Sequence, residues 1–190
     1  ALGPLRMIQS SFTFKLTRPD NIRLQADLGG GSLMDVGSYC VNVCRTLAGE
    51  EPESVQAIAH WASTGVDDQM MGSMRFASGL MAQFDCALTL ARRESYQVAG
   101  TEGYYLVPKA FLPGNEDIAL HEVRERHETR ELFTGCDEYH LMVEHFAGCV
   151  LKGEQPRYTA MEAAANMHII EALYDSARHE GTWQSVRPLG

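Results

Sequence analysis

The chain has 190 residues, with 25 Asp and Glu against 16 Lys and Arg for a formal net charge of −9, and 45% of it is hydrophobic. That length sustains one domain with its own core, and the composition excludes a disordered or collagen-like chain. The acidic balance argues against a nucleic-acid partner, and no apolar run is long enough for a transmembrane helix.

In chain order, residues 5–16 (LRMIQSSFTFKL) alternate in places and are rich in Phe, Ile and Thr, which predicts a strand, and Thr17-Arg18-Pro19-Asp20-Asn21 breaks it. Over residues 32–47 a helical period runs through Leu33, Val36, Val41, Val43 and Leu47; Ala48-Gly49 closes it and Pro52 follows. The middle reads as a sheet. Residues 55–61 alternate, residues 70–76 and 80–88 flank the hairpin signal Ala77-Ser78-Gly79, and residues 94–99, 104–110, 117–125 and 127–133 are short strands between turns. Consecutive strands joined by tight turns imply antiparallel pairing. Tyr139, Met142, Val143, Phe146, Ala147 and Val150 resume helical spacing until Gly153. The capping box Thr159-Ala160-Met161-Glu162 opens a last helix with Ile169, Ala172 and Leu173 inward. The predicted class is therefore α+β: an open, mainly antiparallel sheet with helices packed on one face, residues 1–190 forming a single domain. Met70, Met71, Met74 and Met81 fit either a helix-covered core or a sheet-to-sheet interface.

Five cysteines (Cys40, Cys44, Cys86, Cys136, Cys149) are odd in number and contain no CxxC pair, so neither a zinc site nor a disulfide framework is expected. Cys40 and Cys44 share a helix face and read as buried thiols; no metal is expected, and a reducing, cytoplasmic location is. His121, His127, His140 and His145 have no ligand spacing, and the mixed charges of residues 122–130 mark an exposed strand rim. The opening Ala1-Leu2-Gly3-Pro4-Leu5, without an initiator Met and running straight into a strand, reads as a boundary inside a longer protein.

The densest stretch is residues 28–55 (LGGGSLMDVGSYCVNVCRTLAGEEPESV). Gly29-Gly30-Gly31 allows close backbone approach, Asp35 and Tyr39 lie four apart on one helix face, Asn42 falls near that face, and Gly37 leaves the turn between them bare. Bare backbone beside polar side chains suits a ligand. A structural reading stands beside it: Ser32-x-x-Asp35 is itself a capping box, and Tyr39 would bury its ring and wet its hydroxyl. The glycines match no phosphate loop. Arg23, just before them, is a candidate cofactor or substrate contact, with a solvated surface arginine as the plainer alternative.

The run GGGSLMDVGSYCVNVCRTLAGEEP resembles the helix motif of the Gfo/Idh/MocA oxidoreductase family, in particular its glucose–fructose oxidoreductase and dihydrodiol dehydrogenase-like branch. The family's positions fall on Gly29, Gly30, Gly31, Leu33, Asp35, Gly37 and Tyr39; many members carry His where this chain has Tyr39. The stretch IIEALYDSA near the C-terminus is similar to the family's closing helix. The resemblance implies a two-domain enzyme, with an N-terminal Rossmann domain that binds NAD or NADP. A C-terminal open-sheet domain then shapes the substrate site and mediates oligomer contacts. Only the second part is matched: the chain has no GxGxxG fingerprint and no Glu-Lys-Pro motif, whose lysine completes the family's catalytic group.

The expectation is a C-terminal substrate and oligomerisation domain, its Rossmann domain absent from this chain, inactive when isolated, and forming a homodimer or higher homo-oligomer through the open sheet. By resemblance, Tyr39 exchanges a proton with the hydroxyl of a sugar, polyol or cyclic diol. Asp35 anchors the lysine or the substrate, and Asn42 adds a substrate contact. The alternative is a stand-alone, non-catalytic oligomerisation or ligand-binding module.

Overall fold

The computed structural model describes residues 2–187; Ala1, on which the reading of the chain's start rests, lies outside them. Alternation organises the first strand, β1 (Leu5–Lys15). Ile8, Ser10 and Phe12 turn to one face and are buried, while Met7, Gln9 and Ser11 turn to the other. The remaining strands are β2 (Pro52–Trp61), β3 (Asp67–Phe76), β4 (Met81–Ala87), β5 (Thr89–Gly100), β6 (Tyr104–Val107), β7 (Ile118–Arg124), β8 (His127–Phe133) and the short β9 (Gln184–Ser185). They form one sheet in the order β8-β7-β6-β5-β1-β4-β3-β2-β9.

All neighbours in that sheet are antiparallel except β1 and β4, which are parallel. The expectation that consecutive strands pair thus fails at β4 and β5, which are joined through Leu88 but separated by β1. Leu88 is buried, its amide donates to the Asp68 carbonyl (2.8 Å), and its own carbonyl accepts from the Leu16 amide (2.8 Å). The corner is tied to its neighbours across the sheet, and the N-terminal strand fills the central slot.

Helices cover one face. A π-turn, Leu33–Gly37, leads into α1 (Ser38–Ala48), and Leu33, Val36, Cys40, Val41 and Cys44 pack with Ile8, Phe12, Phe84 and Cys86 in one core. Burial pushes the Cys40 thiol up to about 12, and Cys44 is raised the same way. The last helix, α3 (Ala160–Arg178), starts at Thr159, whose hydroxyl accepts from the Glu162 amide (3.2 Å), and it buries Ile169, Ile170 and Leu173. Arg45 joins α1 to α3 by pairing with Glu51 (2.8 Å from Nε) and Glu162 (3.2 Å). At the other end of α3, buried Ser176 accepts from the Ala57 amide of β2 (2.9 Å) and donates to the Thr182 carbonyl (2.6 Å).

Before α3 in chain order comes α2 (Glu138–Lys152), capped by Asp137 and ended by Gly153 in the left-handed region. It buries only Cys149; Tyr139, Met142, Val143, Phe146 and Val150, the apolar stripe read from sequence, are all exposed. The methionines divide by strand phase: Met70 and Met74 lie in the helix-covered core, whereas Met71 and Met81 are on the open face. At Gly72, on the covered side of β3, a Cβ would overlap the Phe84 ring, so the missing side chain is what lets that ring come close to the strand. No helix among the described residues is long and apolar enough to cross a membrane.

Candidate functional site

The glycine triplet builds the site by folding the chain back on itself. Asn21 caps a 3-10 turn, Ile22–Leu24, by accepting from the Arg23 amide (3.0 Å). Gly30 then donates to the Gln25 carbonyl (2.9 Å) and Gly31 to the Arg23 carbonyl (2.9 Å). A Cβ on Gly30 would sit 2.6 Å from that carbonyl oxygen, so only glycine allows the approach. The fold-back delivers Arg23 to the π-turn, where its Nε donates to Asp35 Oδ2 at 2.6 Å. Arg23 is therefore not a freely solvated arginine. At 38% and 22% side-chain exposure the pair contributes no more than about 1 kcal/mol to stability, so its main consequence is orientation.

Tyr39, in the first turn of α1, is 43% exposed and projects beside this pair. Its ring packs edge-on against Phe12 (5.6 Å between centroids) and Phe111 (5.9 Å), which are themselves stacked at 5.1 Å. Phe111 lies on the loop after β6, and buried Glu94 holds that loop by accepting from the Leu112 amide (3.0 Å). The Arg23 guanidinium lies 5.9 Å over the Phe14 ring.

The Tyr39 phenol is held above its ordinary value of 10, first by burial, then by Tyr139 and Asp35, while Arg23 pulls it down. Arg23, the one cation beside the phenol among the described residues, is spent on Asp35, so these residues alone leave the phenol protonated at neutral pH. Asp35→Asn, which removes a negative neighbour and releases Arg23, is expected to lower the Tyr39 titration, and Arg23→Gln to raise it. Tyrosine ring carbon shifts followed against pH read both, and a titration unmoved by either substitution contradicts the arrangement.

Two local readings need correction. Ser32 does not cap the helix: its backbone is already helical, and its hydroxyl donates to Asp67 Oδ2 (2.6 Å), while Asp35 faces Arg23 instead of closing a capping box. Gly37 is not bare toward a ligand. It is buried, and a Cβ there would lie 2.8 Å from Cys86 Sγ on β4, so the glycine serves close packing of helix on sheet. Asn42 is half-buried on α1 and has no hydrogen bond to Asp35 or Tyr39. Phe12, Phe111 and Tyr139 complete the surroundings of Tyr39 and carry no local signal in the sequence, since each arrives from a distant element.

The sequence profile described as GFO/IDH/MocA C-terminal domain matches residues 1–106, which include Arg23, Asp35, Tyr39 and Asn42. The chain belongs to the GFO/IDH/MocA family. Among its relatives, a D-xylose 1-dehydrogenase (NADP(+)) from Haloferax volcanii is 32% identical over 178 residues, covering 93% of this chain and 55% of that protein. A dTDP-3,4-didehydro-2,6-dideoxy-alpha-D-glucose 3-reductase from Actinomadura kijaniata is 26% identical, covering 93% of this chain and 54% of the reductase. The fold superposes on an aldose-aldose oxidoreductase from Caulobacter crescentus, complexed with glycerol, with a TM-score of 0.87 at 26% identity, over 97% of this chain and 56% of that one. This GFO/IDH/MocA chain thus spans about half the length of the curated relatives it matches.

Proposed function

We propose that this chain is the substrate-binding and proton-handling domain of an NAD(P)-dependent oxidoreductase acting on a sugar, polyol or cyclic diol. The observation that carries the reading is the placement of the Tyr39 hydroxyl beside the Arg23–Asp35 pair on an aromatic cluster. The xylose dehydrogenase and the deoxysugar reductase among the relatives support the substrate class.

The described residues suit the reacting end of the chemistry and not the body of a dinucleotide, for the chain has no GxGxxG turn and its sheet contains no classical phosphate-binding strand–turn–helix. A nicotinamide cofactor, when bound, would supply the hydride chemistry. In oxidation the ionised Tyr39 Oη accepts the proton of the substrate hydroxyl and becomes the phenol, and in reduction the phenol gives that proton to the carbonyl oxygen. Asp35, fixed by Arg23, orients a substrate hydroxyl or a cation brought by the nucleotide-binding domain. Such a cation is required, because the raised pKa keeps Tyr39 as the phenol near neutrality, and only the ionised form accepts a proton. The half-buried Phe14 and Phe111 rings exclude water from one side. The exposed apolar face of α2 runs from Tyr139, beside the site, and is the surface for that nucleotide-binding domain.

The test is turnover of a two-domain protein containing this sequence, supplied with NAD+ or NADP+ and a panel of aldoses, polyols and cyclic diols. Growth of reduced-nicotinamide absorbance with at least one of them is expected, and no turnover by this chain alone. Turnover of some other substrate class, with the whole panel silent, overturns the assignment.

The same reading places a second copy of the chain on the open face. Across that face Gln97, Gln9, Gln83, Ser73 and Gln56 line up through the registers of five adjacent strands. A glutamine both donates and accepts, so such a row is complementary to itself about a two-fold axis. Exposed Met71, Met81 and Ile58 flank it. Sedimentation is expected to report a dimer that Gln9→Glu with Gln83→Glu dissociates; a wild-type monomer throughout the micromolar range excludes it. The five cysteines, all free, support a reducing location such as the cytoplasm.

A further inference from the structure

We propose that Asp67 is a positioning residue for the helix that carries Asp35 and Tyr39; this rests on the reading of that helix as the proton-handling element. Asp67 opens β3 and has no exposed surface. Its carboxylate accepts three hydrogen bonds: from Ser32 Oγ (2.6 Å) and the Leu33 amide (2.7 Å) on Oδ2, and from Tyr174 Oη (2.7 Å) on Oδ1. Two of these donors start the helix and the third comes from α3, so one buried side chain ties the helix start to the strand beneath and the helix beside it.

The tie falls where the helix needs one. The first amides of a helix have no partner within it, and Ser32 leaves Leu33 N–H without a local cap. A carboxylate from another element takes that place and meets the positive end of the helix dipole. The residues that follow form a π-turn, a geometry that persists when its surroundings over-determine it. Asp35 is two residues beyond the clamped amide, inside the turn, and Tyr39 stands just after the turn ends. A shift of the helix start therefore moves the Asp35 carboxylate against Arg23 and the phenol against Phe12 and Phe111. Asp67 acts only through that backbone. Gly31 leaves the space it occupies, since any Cβ there would overlap Asp67 Oδ1.

The experiment uses this chain and needs no turnover. Amide hydrogen exchange and ring-carbon titration of Tyr39 are measured in wild type, Asp67→Ala and Asp67→Asn. In Asp67→Ala the amides of residues 33–39 are expected to exchange about ten- to a hundredfold faster, the equivalent of a lost charge-assisted hydrogen bond, with smaller changes in β1 and α3. The Tyr39 titration moves from its raised position toward that of an ordinary tyrosine. Asp67→Asn, isosteric and still offering one oxygen to Leu33 N–H and Ser32, restores both at least in part. A residue that merely stabilises the fold lowers the unfolding midpoint without moving Tyr39. A folded Asp67→Ala chain with wild-type exchange at 33–39 and a wild-type Tyr39 titration overturns the proposal. If Asp67→Ala does not fold, Tyr174→Phe removes one of the three bonds, and an unchanged Leu33 exchange rate there is equally decisive against it. Catalytic use of the helix is judged separately, by the turnover of Tyr39→Phe, so a clamp without catalysis and catalysis without a clamp give different results.

Discussion

Tyr39→Phe, introduced into a two-domain enzyme containing this sequence, is expected to lower kcat by about 100- to 10,000-fold while cofactor affinity stays within about twofold of wild type. The substitution is clean because the ring's contacts survive. Phe at this position keeps the edge-on packing against Phe12 and Phe111 and loses only the exposed hydroxyl, so the fold and the aromatic wall remain. What disappears is the group that exchanges the proton. The effect belongs in kcat, since the proton moves only as the hydride does. Steady-state kinetics with a fluorescence titration of the cofactor separates the two quantities. Turnover within threefold of wild type removes Tyr39 from the chemistry; a matching collapse of cofactor affinity makes its role one of binding.

The same site explains what was legible in the sequence and what was not. The motif from Gly29 to Tyr39 is local, and its glycines, carboxylate and phenol could be read from spacing. So could the Thr159 cap and the Gly153 stop, whose partners lie within one turn. The interactions that orient the motif cross long stretches of chain. Arg23 reaches Asp35 only because the glycines fold the chain back, and Leu33 finds its cap at Asp67 on a strand. Spacing has no term for either. Ser32-x-x-Asp35 satisfies a capping pattern that the tertiary structure overrides: the Asp35 amide that Ser32 would cap donates to the Gly31 carbonyl (3.1 Å), the Ser32 hydroxyl turns to the buried Asp67, and Arg23 takes the Asp35 carboxylate.

Phase and periodicity likewise carry half an answer. Alternation marks Met70, Met71 and Met74 as strand residues, but only the sheet's covered and open faces decide that the first and third are core. α2 shows the same limit. Its stripe of Tyr139, Met142, Val143, Phe146 and Val150 has the spacing of a core-facing helix, yet the stripe is exposed. Spacing shows that an apolar face exists, not what covers it. Local pairing rules also place β4 beside β5, whereas β1 occupies the slot between them, because the order of strands in a sheet is fixed by long-range packing.

Gly31→Ala is expected to cost roughly 3–5 kcal/mol of folding stability, against about 1 kcal/mol for Gly29→Ala two residues away. Both glycines have positive φ, but 70° at Gly29 is the left-handed region that other residues enter at modest cost, whereas 128° at Gly31 lies outside it and favours glycine more strongly. Surroundings widen the difference. Nothing lies within 4 Å of a Cβ at Gly29, whereas one at Gly31 would overlap Asp67 Oδ1 and approach Tyr174 Oη to 2.9 Å. To make room, the carboxylate must leave Ser32, Leu33 or Tyr174, and Ser32 and Leu33 are buried where water does not replace a lost bond. Domains of this size have total stabilities of about 5–15 kcal/mol, so the loss is a large fraction of the whole. Urea unfolding of the two variants is the measurement, with the slope held equal to wild type as the sign that stability and not the unfolded state has changed. Equal midpoints for Gly29→Ala and Gly31→Ala would mean that the Asp67 cluster yields freely. A large loss confined to Gly31→Ala ties the glycine motif to the buried carboxylate, and makes the third glycine a packing requirement of the helix start.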